Sequence, residues 1–188
     1  MVFRLRNNAS GYGLVTKTLH WLTFLALVAQ FTVGYAMTRS DDLLELAIDR
    51  WLRGDEERLI VVHATLGVCI LALAVVRLLW RKFTPLPAWA KGLSSGERKL
   101  AHRTEQLLYL CLFLIPITGL ALLFGSGEEW DISKRGEWES PWEFASDDVL
   151  LVAHIGAQLL FFVAFALHLG LVLKHQLIKR DGLLWRMT

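Results

Sequence analysis

His154 and His168 stand fourteen residues apart inside one apolar run, Val149 to Leu173. Fourteen residues of α-helix rise about 21 Å and make almost four turns, so both imidazoles fall on one helix face near opposite ends of the run. A bilayer interior tolerates few ionisable side chains, and each is read first as a functional site. Two histidines placed this way predict two stacked metal centres, one near each membrane surface.

Such centres need spans to hold them. The chain has 188 residues, 54% of them hydrophobic. Four runs, residues 18–37, 59–80, 106–124 and 149–173, approach or exceed the ~20 residues that carry a helix across hydrocarbon. Each is apolar nearly all round, whereas the helices of soluble proteins are amphipathic. The expectation is an all-α fold, a four-transmembrane-helix bundle forming one domain over residues 1–188. The first run has the basic start of a signal peptide, but it exceeds the usual ~7–15-residue apolar core and three more runs follow. It is expected to be retained, and His20 with it.

Charge gives the bundle a direction. Of the 20 Lys and Arg residues, 14 precede the first run, join the second to the third or follow the fourth, accompanied only by Glu97, Glu105 and Asp181. Segments 38–58 and 125–148 hold the other 6 basic residues and 15 acidic ones. The positive-inside rule places both termini and the 77–105 loop in the cytoplasm, with the spans in the bacterial inner membrane. The net charge of +2 averages two opposed faces. No nucleic-acid partner is expected. With no Cys-x-x-Cys-His, covalent c-type haem attachment is excluded. Cys69 and Cys111 read as small packing residues without a disulfide.

Topology then assigns each histidine a depth. His20 lies near the inner end of the first span, His63 near the outer end of the second, His154 near the outer end of the fourth, and His168 deeper. Depth pairs His63 with His154 and His20 with His168. Two imidazoles saturate haem iron and favour electron transfer over ligand chemistry, so the expected cofactors are two non-covalent b haems with these four histidines as axial iron ligands. Small residues beside them (Ala26, Ala64, Gly67, Gly156, Ala157, Ala164, Gly170) would open the flat slots required. A lone intramembrane histidine commonly serves as a hydrogen-bonding residue, but four that pair by depth argue otherwise. A zinc or di-metal carboxylate site would need Cys, Asp or Glu nearby, and the span interiors carry no Asp or Glu.

His102 and His175 stand at the cytoplasmic boundary, where polar anchors are ordinary. Their functional reading, with Arg81, is a quinone site. Arg77 is a candidate for the same site or for a haem propionate, which a guanidinium grips bidentately. Between the spans, Leu44, Ile48, Trp51 and Leu52 recur at helical spacing behind a capping-box pair, Asp42 and Glu45, and predict a short amphipathic surface helix. The second outer segment carries Trp130, Trp138 and Trp142, which suit an interfacial belt or a docking surface. Pro85-Leu86-Pro87 and Gly92 to Gly96 predict the inner turn. Pro116 sits inside the third span and is expected to kink it, with neighbouring helices satisfying the freed carbonyl.

The order of motifs resembles the bacterial four-helix cytochrome b561 family. The matching residues are Thr18-Leu19-His20-Trp21, Val61-Val62-His63 with Gly67, Val76-Arg77-Leu78-Leu79-Trp80-Arg81 and Leu100-Ala101-His102. They continue with Leu114-Ile115-Pro116-Ile117-Thr118-Gly119, the His154/His168/His175 series and the terminal Asp181-Gly182-Leu183-Leu184-Trp185-Arg186-Met187. The resemblance covers nearly the whole chain. It implies that His20 and His168 hold an inner haem and His63 and His154 an outer one, with ubiquinone or another quinone exchanging electrons at the cytoplasmic side. It also implies superoxide oxidation at the outer face. The outer segments carry net charges of −3 and −6, which oppose long-range steering of an anion. They suit a basic partner such as a periplasmic c-type cytochrome or a dehydrogenase.

Overall fold

The computed structural model describes residues 4–9, 11–37, 56–90, 92–131 and 137–187. The amphipathic helix expected around residues 42–52 lies outside them. Four long helices dominate: α1 (Leu14–Ala36), α2 (Glu56–Phe83), α3 (Ser95–Gly125) and α4 (Asp147–Leu173). All four are long and apolar enough to cross a membrane, and only 17–22% of each apolar window is buried inside the bundle. The remainder, including Val152, Leu159, Val163 and Ile178, is an apolar surface that lipid must cover. Cys69 lies on that exterior, whereas Cys111 is buried, and neither is bridged.

Every helix begins before the run that predicts it, and α3 does so most, beginning eleven residues before the apolar segment. A capping box explains this. The Ser94 side chain accepts from the Glu97 backbone N–H, and the Glu97 carboxylate accepts from the Ser94 N–H, so two orphan donors are satisfied and the first turn forms despite Gly96. α3 then runs continuously through the buried Pro116.

Backbones approach most closely between α3 and α4, α1 and α2, and α2 and α3; the pairs α1/α4 and α2/α4 are not among the closely packed ones. Where backbones stand apart, aromatic rings fill the gap. Phe31 lies 5.3 Å from Phe161, Phe161 5.8 Å from Phe165, and Phe165 6.4 Å from Phe24. Phe161 and Ala157 form a buried core with Cys111 and Ile115.

At the basic end α4 continues as a π-helical turn (Lys174–Lys179) closed by Arg180 in the left-handed conformation (φ 52). The tail reverses at Gly182 (φ 76), which the missing Cβ permits. It then ties back to the N-terminal half of the chain. The Trp21 indole donates to the Met187 carbonyl at 2.8 Å, and Arg186 donates to the Ala88 carbonyl and lies over the Tyr12 ring. At the acidic end a small antiparallel ribbon, β1 (Glu129–Asp131) with β2 (Glu137–Glu139), pairs Trp130 with Trp138. Trp142 and Phe144 stack there at 5.7 Å and are exposed.

Candidate functional site

The four histidines meet in two pairs. His20 on α1 and His168 on α4 have ring centroids 6.4 Å apart, and His63 on α2 and His154 on α4 have centroids 6.3 Å apart. These are the helix combinations whose backbones do not pack closely. The ring planes differ, tilted by 48° in the first pair and nearly perpendicular, 81°, in the second.

Three observations test whether a haem fits between them. First, a metal holds an imidazole nitrogen at ~2.0–2.1 Å and the ring centre lies roughly 1.1 Å further back, so two trans imidazoles put their centroids about 6.2–6.4 Å apart. Both pairs meet that spacing. Second, a Cβ placed on Gly34 or on Gly119 would lie 3.0 Å from Cε1 of His63 or of His154. These two glycines therefore keep α1 and α3 clear of the rings. Third, Nδ1 of His63 is buried without a partner among the described residues, and an open nitrogen is what a ligand requires. The donor set fits the group.

Neighbours orient the acidic-end pair. Thr118 Oγ1 donates back to the Leu114 and Ile115 carbonyls at 2.8 and 2.9 Å and lies 3.0 Å from His154 Nδ1. A hydroxyl has one proton to give. That proton goes to only one of these partners, and with Nε2 as the ligating nitrogen of His154 the Nδ1–H would be donated to Thr118 Oγ1. Gln30, buried on α1, contacts His63 Nε2 at 3.1 Å. The Gln30 amide nitrogen is the atom against His63 Nε2, and Gln30 Oε1 is buried without a partner among the described residues.

The basic-end pair has a charge beside it instead. Arg77 Nη1 reaches to 3.5 Å from the Leu19 carbonyl, adjoining His20. Its guanidinium lies 5.6 Å from the Tyr109 ring centroid, and that of Arg81 5.8 Å. Arg81 also pairs with Glu105. His102 is exposed on the same face of α3, three residues before Glu105 and seven before Tyr109.

His175 is held elsewhere. It is fully buried, its Nδ1 sits 2.5 Å from Asp181, and its Nε2 lies 3.4 Å from Glu97 without hydrogen-bond geometry. Lys179 and Lys174 close on the same Glu97 carboxylate at 2.9 and 3.0 Å. Gly92 packs directly on the Asp181 carboxylate, and any Cβ there would collide with it. The His175 bond holds the Asp181 carboxyl below the usual carboxylate range. Of the residues expected around a quinone, Arg77 and Arg81 therefore come together, with His102 on the adjoining face, while His175 belongs to a separate clasp.

Gly34, Gln30, Tyr109 and Phe161 carry no motif signal of their own, and Thr118 and Gly119 enter only as letters of a motif. Phe161 was within reach, since it lies seven residues from both His154 and His168 and therefore on their face. The small residues expected to open the slots sit differently. Ala157 and Ala164 are packed in the core, while Gly156 and Gly170 face open space.

Fold and site together define an integral membrane bundle of four helices with facing histidine pairs between them. The prokaryotic cytochrome b561 family matches residues 11–188, and the chain belongs to that family. It is 28% identical to cytochrome b561 homolog 2 of Escherichia coli (strain K12), over 96% of this chain and 93% of that protein. It is 23% identical to the probable superoxide oxidase CybB of Yersinia pestis, over 94% of each. Cytochrome b561 homolog 1 of Escherichia coli (strain K12) is 26% identical over 90% of this chain and 92% of its own length. Membership makes this a multi-pass membrane protein of electron transfer, with haem b as its cofactor.

Proposed function

We propose that the chain holds two b haems, one between His20 and His168 and one between His63 and His154, and moves electrons across the inner membrane from superoxide outside to quinone at the cytoplasmic side. The observation that carries this reading is the pair of histidine contacts at 6.4 and 6.3 Å, joined through α4 by fourteen residues of one helix. When bound, a bis-histidine haem supplies reversible one-electron transfer at a saturated iron.

The chain's own residues do the rest. His63 and His154 would hold the outer group, oriented by Gln30 and Thr118. The Phe24, Phe31, Phe161 and Phe165 rings exclude water between the two sites. Arg77 and Arg81 supply hydrogen bonds for a quinone at the inner end, His102 relays protons to it from the cytoplasmic water, and Arg77 is also placed for a propionate. His175 steadies that end. Two superoxide ions give up one electron each and become O₂; the quinone takes two electrons and two protons and becomes quinol. Both termini lie in the cytoplasm, and residues 1–188 form one domain.

The name of the Yersinia pestis relative supports the superoxide reading. A second reading, electron exchange with a basic periplasmic redox protein, is favoured by the exposed Glu128, Glu129, Glu137 and Glu139 around the ribbon. The purified protein, exposed to a superoxide flux with a quinone analogue present, is expected to be reduced and re-oxidised in turnover. Slow reduction by superoxide beside fast exchange with a c-type cytochrome would replace the first reading with the second.

A further inference from the structure

The two histidine pairs have different surroundings. At the acidic end, the Thr118 hydroxyl lies 3.0 Å from His154 Nδ1 and within hydrogen-bond reach of the Leu114 and Ile115 carbonyls, so with Nε2 as the ligating nitrogen His154 would donate its Nδ1–H to Thr118 Oγ1. At the basic end, the Arg77 guanidinium stands 3.5 Å from the backbone carbonyl of Leu19, the residue before His20. A hydrogen bond from the far nitrogen of a ligating imidazole raises its basicity and favours the more positive, oxidised metal. A fixed cation does the opposite, since the oxidised centre is repelled by it more than the reduced one.

We infer that Thr118 and Arg77 set the two sites at different reduction potentials, Thr118 holding the His63/His154 site low and Arg77 holding the His20/His168 site high. The inference rests on the two-haem reading and adds the direction of electron flow to it. A propionate drawn to Arg77 does not change the sign, because pairing the propionate removes a negative charge that would otherwise lower that site's potential. The broader field acts in the same sense. Acidic residues flank the His63/His154 end, whose outer segments are net −3 and −6, while 14 of the 20 basic residues gather at the other end. An electron therefore falls from the acidic end to the basic end on equilibrium grounds alone.

The test is a spectroscopic redox titration of the purified, haem-loaded protein. Wild type should give two b-type waves, and the wave remaining in His63→Ala should be the higher one. Thr118→Val should raise only the lower wave, and Arg77→Leu should depress only the higher one. Each shift should amount to roughly three- to tenfold in the reduction equilibrium, where tenfold is about 59 mV for one electron. Thr118→Ser and Arg77→Lys, which keep the hydroxyl and the charge, should stay near wild type. If Thr118→Val does not assemble, Thr118→Ala removes the same acceptor with less change of shape. Unmoved waves, or a lower remaining wave in His63→Ala, overturn the proposal while leaving two haems in place. If His63→Ala keeps both waves, the pairing itself fails and the proposal falls with it.

Discussion

His154 is the residue at which sequence and structure meet most closely. Its spacing from His168 announced a centre at each end of α4, and its ring does face His63 at 6.3 Å. What spacing cannot supply is the identity of the neighbours on other helices. Thr118 and Gly119 are consecutive on α3 and serve the same imidazole, one by bringing its hydroxyl to 3.0 Å from Nδ1 and the other by lacking a side chain. Neither function is visible in a run of apolar letters, because it depends on which face of α3 turns towards α4. Overpacking such a contact costs about 1–3 kcal/mol. Gly119→Val is therefore expected to lower haem retention at the His63/His154 site and to leave the other site full, read as a haem-to-protein ratio. Full retention at both sites would mean that the glycine is not needed for clearance.

At the level of elements, hydropathy located all four spans but not their true ends. The Ser94–Glu97 capping box is legible in the sequence, yet Gly92 and Gly96 on either side read as turn residues and concealed it. The clasp was not legible. It gathers Glu97 from the first turn of α3, Lys174, His175 and Lys179 from the π-helical turn after α4, and Asp181 from the tail, across more than eighty residues of chain. It pins three elements at the end where quinone chemistry is proposed. Asp181→Ala strands the buried His175 Nδ1, and an unsatisfied buried group costs about 1–3 kcal/mol. The variant should melt several degrees below wild type in detergent with its haem spectrum unchanged at low temperature. The sign with pH follows from Asp181. Its folded-state carboxyl is held down by His175, so its contribution is complete above the ordinary value of ~3.9 and is lost as pH falls through the lower folded-state value. The gap between variant and wild type should close in that acid range. An equal melting temperature at neutral pH would leave the clasp without a stabilising role.

The whole molecule is polarised. Basic residues and the clasp gather at one end, and the acidic ribbon at the other. That asymmetry was readable from charge alone, as was the four-helix architecture, because both depend on composition over long segments. The unequal spacing of the helices was not. α4 keeps close to α3 but is separated from α1 and α2 by the distance that histidine and phenylalanine rings span. Those two gaps are where the two proposed haems would sit, each filled independently of the other. The direct measurement is haem quantitation by pyridine haemochrome on wild type, His63→Ala and His168→Ala. Two b haems per chain in wild type and one in each variant are predicted. A variant that keeps both, or a wild type that holds only one, would contradict the two-site arrangement.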